Sequence, residues 1–499
     1  MRILYIDIDT TRPDHFGCYG YHRNTSPAID AIAKEGVRFT NCYTPDAPCL
    51  PSRAALYTGR FGIQTGLVGH GGTAGDHKIE GPGRGFRGTY EDDAVVRQLQ
   101  KLGYHTVCMS PFGQRHGSMW FYAGFQEIHN TGQGGMESAE KVMPIAEDWF
   151  RRNAAKDNWF LHVNLWDPHT PYRAPESLGE PFKNDPLPKW LDDDALITRH
   201  NKVVGPHTSM EISMYDDREN PRFPRHPGKI TDRASMRKLI DGYDTGILYS
   251  DQQVARLVAL LKEAGVYEDT AIIISSDHGE NLGELGIYAE HGTADNITCR
   301  IPMIIKWPGG AKGKVAEGLH YNLDWGPTLM DLLKAPKPEV WQGQSYASTI
   351  LTGNVSDAGR DYLVLSQCAH VCQRSVRWDR WLYMRTYHDG FHLFPQEMLF
   401  DLIADPHEQN DLADKHPELC REGAWRLSNW QDEQMQTMAA RGPDVIDPLW
   451  TVIREGGPFH ARHAAPSPLP AYLKRLEATG RGEGARQLRQ KYARFLPQE

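Results

Sequence analysis

The stretch Ala271–Gly279 reads AIIISSDHG and carries the pattern that decides the fold. Its first part is a continuous run of apolar, mostly β-branched residues, which predicts a strand over 271–276 that is buried on both faces. The run then turns polar at Asp277 and His278. Strands of this kind occupy parallel sheets that helices cover on both sides. The stretch therefore predicts an α/β protein with polar groups at the end of a central strand.

Strands and helices alternate on either side of this stretch, as expected for a large, mostly parallel sheet between helices. Ligands bind such sheets at the carboxyl ends of the strands. Several polar groups fall just after predicted strands or in the adjoining loops and should meet there: Asp9, Cys49, 167–169 and 277–278. The predicted strands are 2–8, 37–43, 104–110, 159–165, 271–276 and 301–306. The predicted helices are 26–35, 90–102, 139–154, 231–264 with a break near Gly246, and 324–333.

The pattern changes after about residue 357. Strands are predicted over 361–367, 380–387 and 397–402, separated by turns and followed by helices. A chain of 499 residues suits one large domain and one smaller one. We therefore predict a catalytic domain over 1–356 and a C-terminal α+β subdomain over 357–499 with a short antiparallel sheet. The tail over 464–499 should lie on the surface.

Composition narrows the class of protein. Hydrophobic residues make up 40% and charged residues 24%, as in soluble enzymes, and the net charge of −9 argues against a nucleic-acid partner. No run approaches the ~18 apolar residues of a membrane span, and Asp7 and Asp9 interrupt the apolar start, so we expect a cytoplasmic protein with no membrane partner. A chain trimmed of its signal would look the same. Cys368 and Cys372 could form a zinc pair, but buried structural positions are favoured because no second pair is near.

A second informative stretch is Cys49–Arg60, which reads CLPSRAALYTGR. The Pro51-Ser52 pair favours a helix start, and the following residues continue the helix. Cys49 then lies at a helix N-terminus, where free N–H groups favour an anion. Arg53 lies one turn further on, and Arg60 follows the predicted helix end. Cations in this run suit a negatively charged reaction centre.

This run resembles the C-x-P-S-R-x-x-x-x-T-G-R signature of type I sulfatases, in the alkaline phosphatase superfamily. The resemblance implies an alkaline-phosphatase-like fold. It also implies that a formylglycine-generating enzyme, a transient partner, oxidises Cys49 to formylglycine, whose hydrate is the nucleophile. Arg53 and Arg60 would orient this group. A buried cysteine before an ordinary helix is the alternative interpretation.

Two further stretches resemble the metal-binding motifs of this family. Residues 275–279 match S-D-H-G, and residues 9–20 match D-D-L-R-P-D-x-x-G-C-Y-G with Thr10 in place of the second Asp. Asp7 leaves the same strand face as Asp9, so it either supplies the missing carboxylate or the site has one fewer. A solvent-facing Asp-His-Gly turn is the alternative. The resemblance implies Ca²⁺, with Mg²⁺ or Mn²⁺ as alternatives. Its ligands would be Asp7, Asp9, Cys49, Asp277 and His278.

The groups for proton transfer and substrate binding match the family less closely. Residues 164–172 resemble H-x-P-H-x-P-Y, which implies that His169 protonates the leaving alcohol. At 290–309 the family lysine that holds sulfate falls on His291, which becomes a catalytic candidate or a neutral surface residue. Pro111 and Gly113 replace a family Lys and His. Two nearby residues are the substitute substrate-binding candidates: Arg115 and His116.

The resemblance implies a sulfuric ester hydrolase that removes sulfate from a small organic sulfate, with a sulfated saccharide as the expected partner. A C-terminal stretch over 399–413 also resembles the family's L-Y-D-L-x-x-D-P-x-E-x-x-N-L-A motif. The missing lysines leave a phosphonate monoester or phosphodiester hydrolase as an alternative. An inactive relative that only binds a sulfated glycan is a third possibility, against which the retained Cys49 and Asp277 argue. An oligomer is compatible with the sequence.

Overall fold

The computed structural model describes residues 1–78, 89–132, 134–135, 137–356, 359–442, 444–462 and 467–496. The predicted domain boundary at 356/357 lies at the edge of the described residues. Both ends of the predicted tail, 464–466 and 497–499, lie outside them. The strands are β1 Arg2–Ile8, β2 Val37–Tyr43, β3 Asp46–Ala47, β4 His105–Met109, β5 Glu127–His129, β6 Trp159–Leu165, β7 Thr270–Ser275, β8 Asn281–Leu282, β9 Tyr288–Glu290, β10 Arg300–Lys306, β11 Lys314–Tyr321, β12 Tyr362–Gln367, β13 Cys372–Trp378, β14 Trp381–His388 and β15 Glu397–Asp401. The α-helices are α1 Pro27–Lys34, α2 Cys49–Thr58, α3 Gly62–Thr65, α4 Thr89–Asp93, α5 Val95–Lys101, α6 Phe112–Arg115, α7 Ala139–Asn153, α8 Asp194–His200, α9 Arg233–Glu263, α10 Asn296–Cys299, α11 Trp325–Leu332, α12 Ala347–Thr352, α13 Pro417–Arg441, α14 Pro448–Arg454, α15 Phe459–Arg462, α16 Leu469–Ala478 and α17 Gly482–Lys491.

The large sheet has eight strands in the order β11-β2-β10-β7-β1-β6-β4-β5. All neighbours are parallel except those of β10, which is antiparallel to both β2 and β7. Alternate residues of β1 enter two separate cores: Leu4 and Ile6 pack with α1, α7 and α9, and Ile3 packs with α2, α5 and α11. The predicted α/β sandwich, with helices on both faces of a mostly parallel sheet, is confirmed.

The exception at β10 matters for the site. In parallel strands, only the segments that follow the strands reach the carboxyl edge of the sheet. Because β10 runs in the opposite direction, the segment that precedes it reaches that edge instead. This segment carries His291. The antiparallel strand thus adds one more polar loop to the edge of the sheet that also carries Asp9, Cys49 and Asp277.

Two helix predictions were wrong. The long helix α9 continues through Gly246 without a break, because this glycine serves close packing: a Cβ there would lie 2.7 Å from the backbone oxygen of Asp167. The helix predicted over 90–102 is two short helices, α4 and α5. Ala94 separates them with extended backbone angles, φ −56° and ψ 141°.

The smaller sheet has the order β15-β14-β13-β12-β3 and is antiparallel except at β3. The sequence did not predict β13 because Gln373, Arg374 and Ser375 interrupt its apolar pattern. These residues are nevertheless buried, and Arg374 donates two hydrogen bonds of 2.7 Å to Asp447. The predicted C-terminal antiparallel sheet is confirmed. The short strand β3 follows β2 in the chain and pairs with β12, so it connects the smaller sheet to the large one.

The tail is folded rather than loosely attached to the surface. Helices α16 and α17 pair with each other and bury Leu473, Leu476 and Leu488. Arg481 binds the buried carboxylate of Glu211, with one hydrogen bond of 2.8 Å from Nη1 to Oε2. The tail therefore packs against the loop that contains Glu211. Among the described helices, none combines the length and the apolar character needed to cross a membrane.

Candidate active site

The carboxyl edge of the large sheet brings the predicted site residues together. Asp9 follows β1, Asp277 and His278 follow β7, and Cys49 is the first residue of α2. One ligand atom each from Asp9, Asp277 and His278 lies within 4.8 Å of the others, and the same holds for Cys49, His278 and His291. All five are buried. The predicted meeting of these groups at one edge agrees with this geometry.

Arg53 is the centre of the carboxylate cluster. Its guanidinium donates to Asp7 Oδ2 from Nε at 3.0 Å and from Nη2 at 2.8 Å, to Asp9 Oδ2 at 2.8 Å and to Asp277 Oδ2 at 2.5 Å. It also lies 4.5 Å from the centroid of the Phe112 ring. The helical position of Arg53, one turn after Cys49, aims this cation at three carboxylates from two strands. Arg53 therefore joins the acidic groups that surround Cys49.

Three carboxylates and one guanidinium leave an excess of buried negative charge. Burial raises the pKa of Asp7 to about 7 and that of Asp277 to about 6, with further contributions from the neighbouring carboxylates. Burial opposes ionisation of Asp9 as well, but Arg53 and the adjacent histidines hold its pKa low. Buried charges of this kind need a partner. Oxygen-rich donors with one imidazole, from His278, fit a hard divalent cation.

Asp7 differs from the other carboxylates. It lies inside β1, and its Oδ2 accepts both hydrogen bonds that Arg53 donates from Nε and Nη2. It does not belong to the group of Asp9, Asp277 and His278 whose ligand atoms lie within 4.8 Å of each other. The prediction left open whether Asp7 replaces the second family Asp. The geometry favours a role for Asp7 as the partner of Arg53.

Cys49 lies in the first turn of α2 and its Sγ is 3.3 Å from Nε2 of His278. Burial, with the charges of Asp277 and Asp9, raises the pKa of the Cys49 thiol far above its usual range. A thiol with a raised pKa is a poor nucleophile, because the thiolate is the reactive form. The surroundings therefore disfavour thiolate chemistry by an unmodified cysteine at this position.

Two histidines stand above this cluster. Nε2 of His169 lies 3.9 Å from Oδ1 of Asp9, and its Nδ1 lies 2.5 Å from the backbone oxygen of Thr170. Burial lowers the pKa of His169, which Asp9 partly opposes. His291 is 5.5 Å from His169 and 4.2 Å from His278 between ring centroids, and its Nδ1 lies 3.1 Å from Glu280. His291 is thus buried in the site rather than on the surface.

The predicted substrate cations divide into two groups. Arg115 and His116 line the same cavity as Cys49, and burial lowers the pKa of His116 to about 3. Arg60 instead follows the far end of α2, about 15 Å along the helix from Cys49 at 1.5 Å per residue. Its guanidinium lies 4.8 Å from the centroid of the Tyr90 ring. The structure does not bring Arg60 to the cavity.

A cavity of about 610 Å³ lies above Cys49, and the sequence reasoning missed much of its lining. The missed histidines lie at distant positions in loops without a family motif, so only their shared chemistry could have indicated them. Arg173 was also missed, although it directly follows the 164–172 stretch: it donates to the backbone oxygen of His169 at 2.9 Å. Burial lowers the pKa of Arg173 to about 10, and the charge of Arg115 adds to this. The cavity is lined by Cys49, His70, Arg115, His116, Gly134, His169, Thr170, Met214, Glu290, His291, His370, Phe459 and His460.

Comparison with known proteins assigns the family. The sulfatase family model matches residues 2–335, and a model described as N-sulphoglucosamine sulphohydrolase, C-terminal, matches residues 283–426. The chain belongs to the sulfatase family, within the alkaline phosphatase superfamily, and is an enzyme of the sulfatase class. The predicted family membership is confirmed. The second match spans the 399–413 stretch that resembles a family motif.

The relatives are distant but cover most of the chain. An ulvan-active sulfatase of Formosa agariphila is 25% identical over 83% of this chain and 77% of its own length. An N-acetylglucosamine-6-O-sulfatase of Bacteroides thetaiotaomicron is 22% identical over 83% and 82%. A structure solved with its substrate D-glucosamine-2-N,6-O-disulfate has a TM-score of 0.69 at 19% identity, over 87% and 98%. A phosphonate monoester hydrolase of Agrobacterium radiobacter has a TM-score of 0.65 at 19% identity, over 87% and 96%. At these identities the solved structures establish the fold.

Proposed function

We propose that this enzyme hydrolyses the sulfate ester of a small sulfated saccharide, with formylglycine at position 49 as the nucleophile and a calcium-type cation beside it. The observation that carries the proposal is the position of Cys49. It lies in the first helical turn of α2, 3.3 Å from His278, beside the carboxylates that Arg53 joins and below an open cavity. A sulfatase needs a nucleophile, a cation and an entrance at one place, and residues suited to each of these roles lie together here.

The residues divide the chemistry between them. Formylglycine would supply a hydrated aldehyde as the attacking group. Asp9, Asp277 and His278 would hold the cation, which polarises the sulfate oxygens. Arg53 keeps Asp7, Asp9 and Asp277 in place through four hydrogen bonds. The free N–H groups in the first turn of α2 would stabilise negative charge that develops beside position 49.

His169 is the candidate proton donor to the leaving alcohol. Its Nδ1 lies 2.5 Å from the Thr170 backbone oxygen, which fixes the proton on Nδ1 when the ring is neutral and leaves Nε2 toward the cavity and Asp9. Burial keeps the pKa of His169 low in the free enzyme. The negative charge of a bound sulfate ester favours the protonated ring, so substrate binding would load the acid. His291, 5.5 Å away, is the second candidate for this step.

The sulfate group must be held without the two family lysines. Arg115 lines the cavity and lies close enough to the half-buried Arg173 to affect its pKa. Two guanidinium groups near His169 supply positive charge and paired N–H donors for the oxygens of a sulfate. His291 and His116 complete this side of the cavity as polar groups. We assign anion binding chiefly to Arg115, because it combines a permanent charge with an exposed side chain.

The substrates of similar proteins support a saccharide substrate. The N-acetylglucosamine-6-O-sulfatase and the structure bound to D-glucosamine-2-N,6-O-disulfate act on sulfated sugars by their descriptions. The cavity of about 610 Å³ is large enough for one or two sugar rings. The phosphonate monoester hydrolase shares the fold and makes phosphonate or phosphodiester cleavage the second candidate. This second candidate is favoured by one observation: Pro111 and His291 stand where the family has the lysines that bind sulfate.

Two measurements test this proposal. Peptide mass spectrometry should show the fragment with residue 49 lighter by about 18 Da where the thiol has become an aldehyde. Specificity constants should then be compared for an aryl sulfate, an aryl phosphonate and an aryl phosphodiester on the same preparation. We expect the sulfate to be preferred. A phosphonate or diester preferred by more than about 10-fold, which is 1.4 kcal/mol of transition-state stabilisation, would favour the second candidate.

The cation and the anion site are tested separately. Asp277→Ala should remove both the bound cation, measured by elemental analysis, and turnover. Arg115→Ala should raise KM for an aryl sulfate with a smaller effect on kcat, since a permanent positive charge binds ground state and transition state alike. Arg152→Ala, an exposed arginine on α7, is the matched control and should leave both constants unchanged. An Arg115→Ala variant with unchanged KM would remove Arg115 from the site.

A further inference from the structure

Three histidines in the cavity wall form a group of their own. His70 comes from the loop after α3, His370 from the turn between β12 and β13, and His460 from α15. One ring nitrogen of each lies within 4.8 Å of one from each of the other two. None of the three belongs to the cluster of Asp9 and Asp277. Segments from distant parts of the chain therefore converge at one point of the wall.

The distances within the group suit a metal ion. Nδ1 of His70 and Nε2 of His460 are 3.1 Å apart. Two imidazole nitrogens bound to one tetrahedral zinc, at 2.0–2.1 Å each, are separated by about 3.3 Å. The His370 and His460 rings stack with centroids 4.2 Å apart and an interplanar angle of 13°. Because stacked rings hold their nitrogen lone pairs in parallel planes, one of these two rings must turn for both nitrogens to reach a single ion.

The hydrogen bonding of His370 gives an independent indication. His370 is buried, with 4% of its surface exposed, and its Nδ1 has no hydrogen-bond partner among the described residues. A buried polar atom without a partner is costly and calls for an explanation. Nε2 of His370 faces Oε1 of Glu290 at 3.7 Å, and a carboxylate behind a metal-bound histidine is the usual arrangement for orienting the ring.

We propose that His70, His370 and His460 bind a divalent transition metal ion of the zinc class, as a second metal site separate from the carboxylate cluster. Imidazole ligands suit zinc, nickel and copper, whereas carboxylates suit calcium and magnesium. Three histidines leave one coordination position for water or a substrate oxygen. The His370 ring lies 5.9 Å from that of His291, so the ion faces the same cavity and adds positive charge where an anionic substrate enters. The site does not depend on the proposed function.

Cobalt titration tests the site without an activity assay. The full-length protein is treated with a chelating resin, saturated with Ca²⁺ and titrated with Co²⁺, whose visible absorption reports its coordination. We expect one Co²⁺ per chain with the strong bands of four-coordinate geometry. His370→Ala and His460→Gln should each weaken Co²⁺ binding by at least about 10-fold. His416→Ala, a half-exposed histidine at the start of α13, is the matched control and should bind as the wild type does.

Asp277→Ala separates the two sites. It should retain the Co²⁺ bands, because its change lies in the carboxylate cluster. Loss of the bands in Asp277→Ala, with retention in His370→Ala and His460→Gln, would place the ion elsewhere and overturn the proposal. So would a Ca²⁺-saturated wild type that binds no Co²⁺. Circular dichroism checks that each variant folds, and His70→Asn replaces any variant that does not.

Discussion

Replacement of Arg53 by methionine tests the organisation of the carboxylate cluster. Methionine keeps much of the apolar stem but removes the guanidinium that bonds Asp7, Asp9 and Asp277. Four charge-assisted hydrogen bonds, at roughly 1.5–3 kcal/mol each, would sum to more than about 6 kcal/mol. The carboxylates can respond by binding protons, and Asp7 already has its pKa raised to about 7 by burial. We therefore expect the smaller loss typical of a broken buried ion pair, about 3–5 kcal/mol.

Urea denaturation in the presence of a chelator measures this loss. Arg53→Met should lower the free energy of unfolding by about 3–5 kcal/mol, and Arg152→Met, whose partner Asp148 is equally exposed, by less than about 1 kcal/mol. Adding Asp7→Asn to Arg53→Met should recover part of the loss, because one unpaired carboxylate disappears. Calcium should also recover part of it. An Arg53→Met variant within about 1 kcal/mol of wild type would refute the clustering of these charges.

Three further changes probe the rest of the fold. Asp447→Ala leaves the buried Arg374 without its partner, and denaturation should show a loss of about 3–5 kcal/mol, whereas a loss below 1 kcal/mol would contradict the buried pairing. Burial raises the pKa of Asp46 from 3.8 to about 7. Between these two pH values the native state holds a proton on Asp46 that the unfolded state has lost. The stability that this proton contributes at low pH is therefore lost as the pH rises through 7. The free energy of unfolding of Asp46→Asn, relative to that of the wild type, should therefore rise by up to about 4 kcal/mol between pH 4 and 8. A difference that does not change with pH would contradict this expectation. Arg475 in the tail also bonds Glu211, so the double change Arg475→Met with Arg481→Met should release the tail from Glu211, seen as faster proteolysis after residue 467 in native conditions. Unchanged cleavage would argue that apolar packing alone holds the tail.

The sequence predicted the large sheet well because its strands are long, apolar and followed by polar residues. The stretch 271–279 shows why: burial on both faces demands a continuous apolar run, and the ligand edge demands the polar ending. The strand β13 was missed for the opposite reason. Its Arg374 is buried through an ion pair with Asp447, 73 residues later, and no local pattern reports such a partner.

The prediction of a helix break near Gly246 was wrong because a glycine in a helix can have either of two effects. It weakens a helix locally, and it also allows another backbone to approach, as Asp167 does at 2.7 Å from where a Cβ would be. Family motifs gave Cys49, Asp9 and Asp277, which the fold brings together. They could not give His70, His370 or His460, since these histidines meet only through tertiary structure.

Sulfate release by the wild type and by Cys49→Ala tests the central claim most directly. Both proteins are incubated with D-glucosamine-2-N,6-O-disulfate and a panel of other sulfated sugars, and free sulfate is measured by ion chromatography. We expect release by the wild type from at least one sugar and a loss of at least about 10⁴-fold in Cys49→Ala, because covalent catalysis is removed. Cys49→Ala that releases sulfate at the wild-type rate would contradict the assignment of position 49 as the nucleophile.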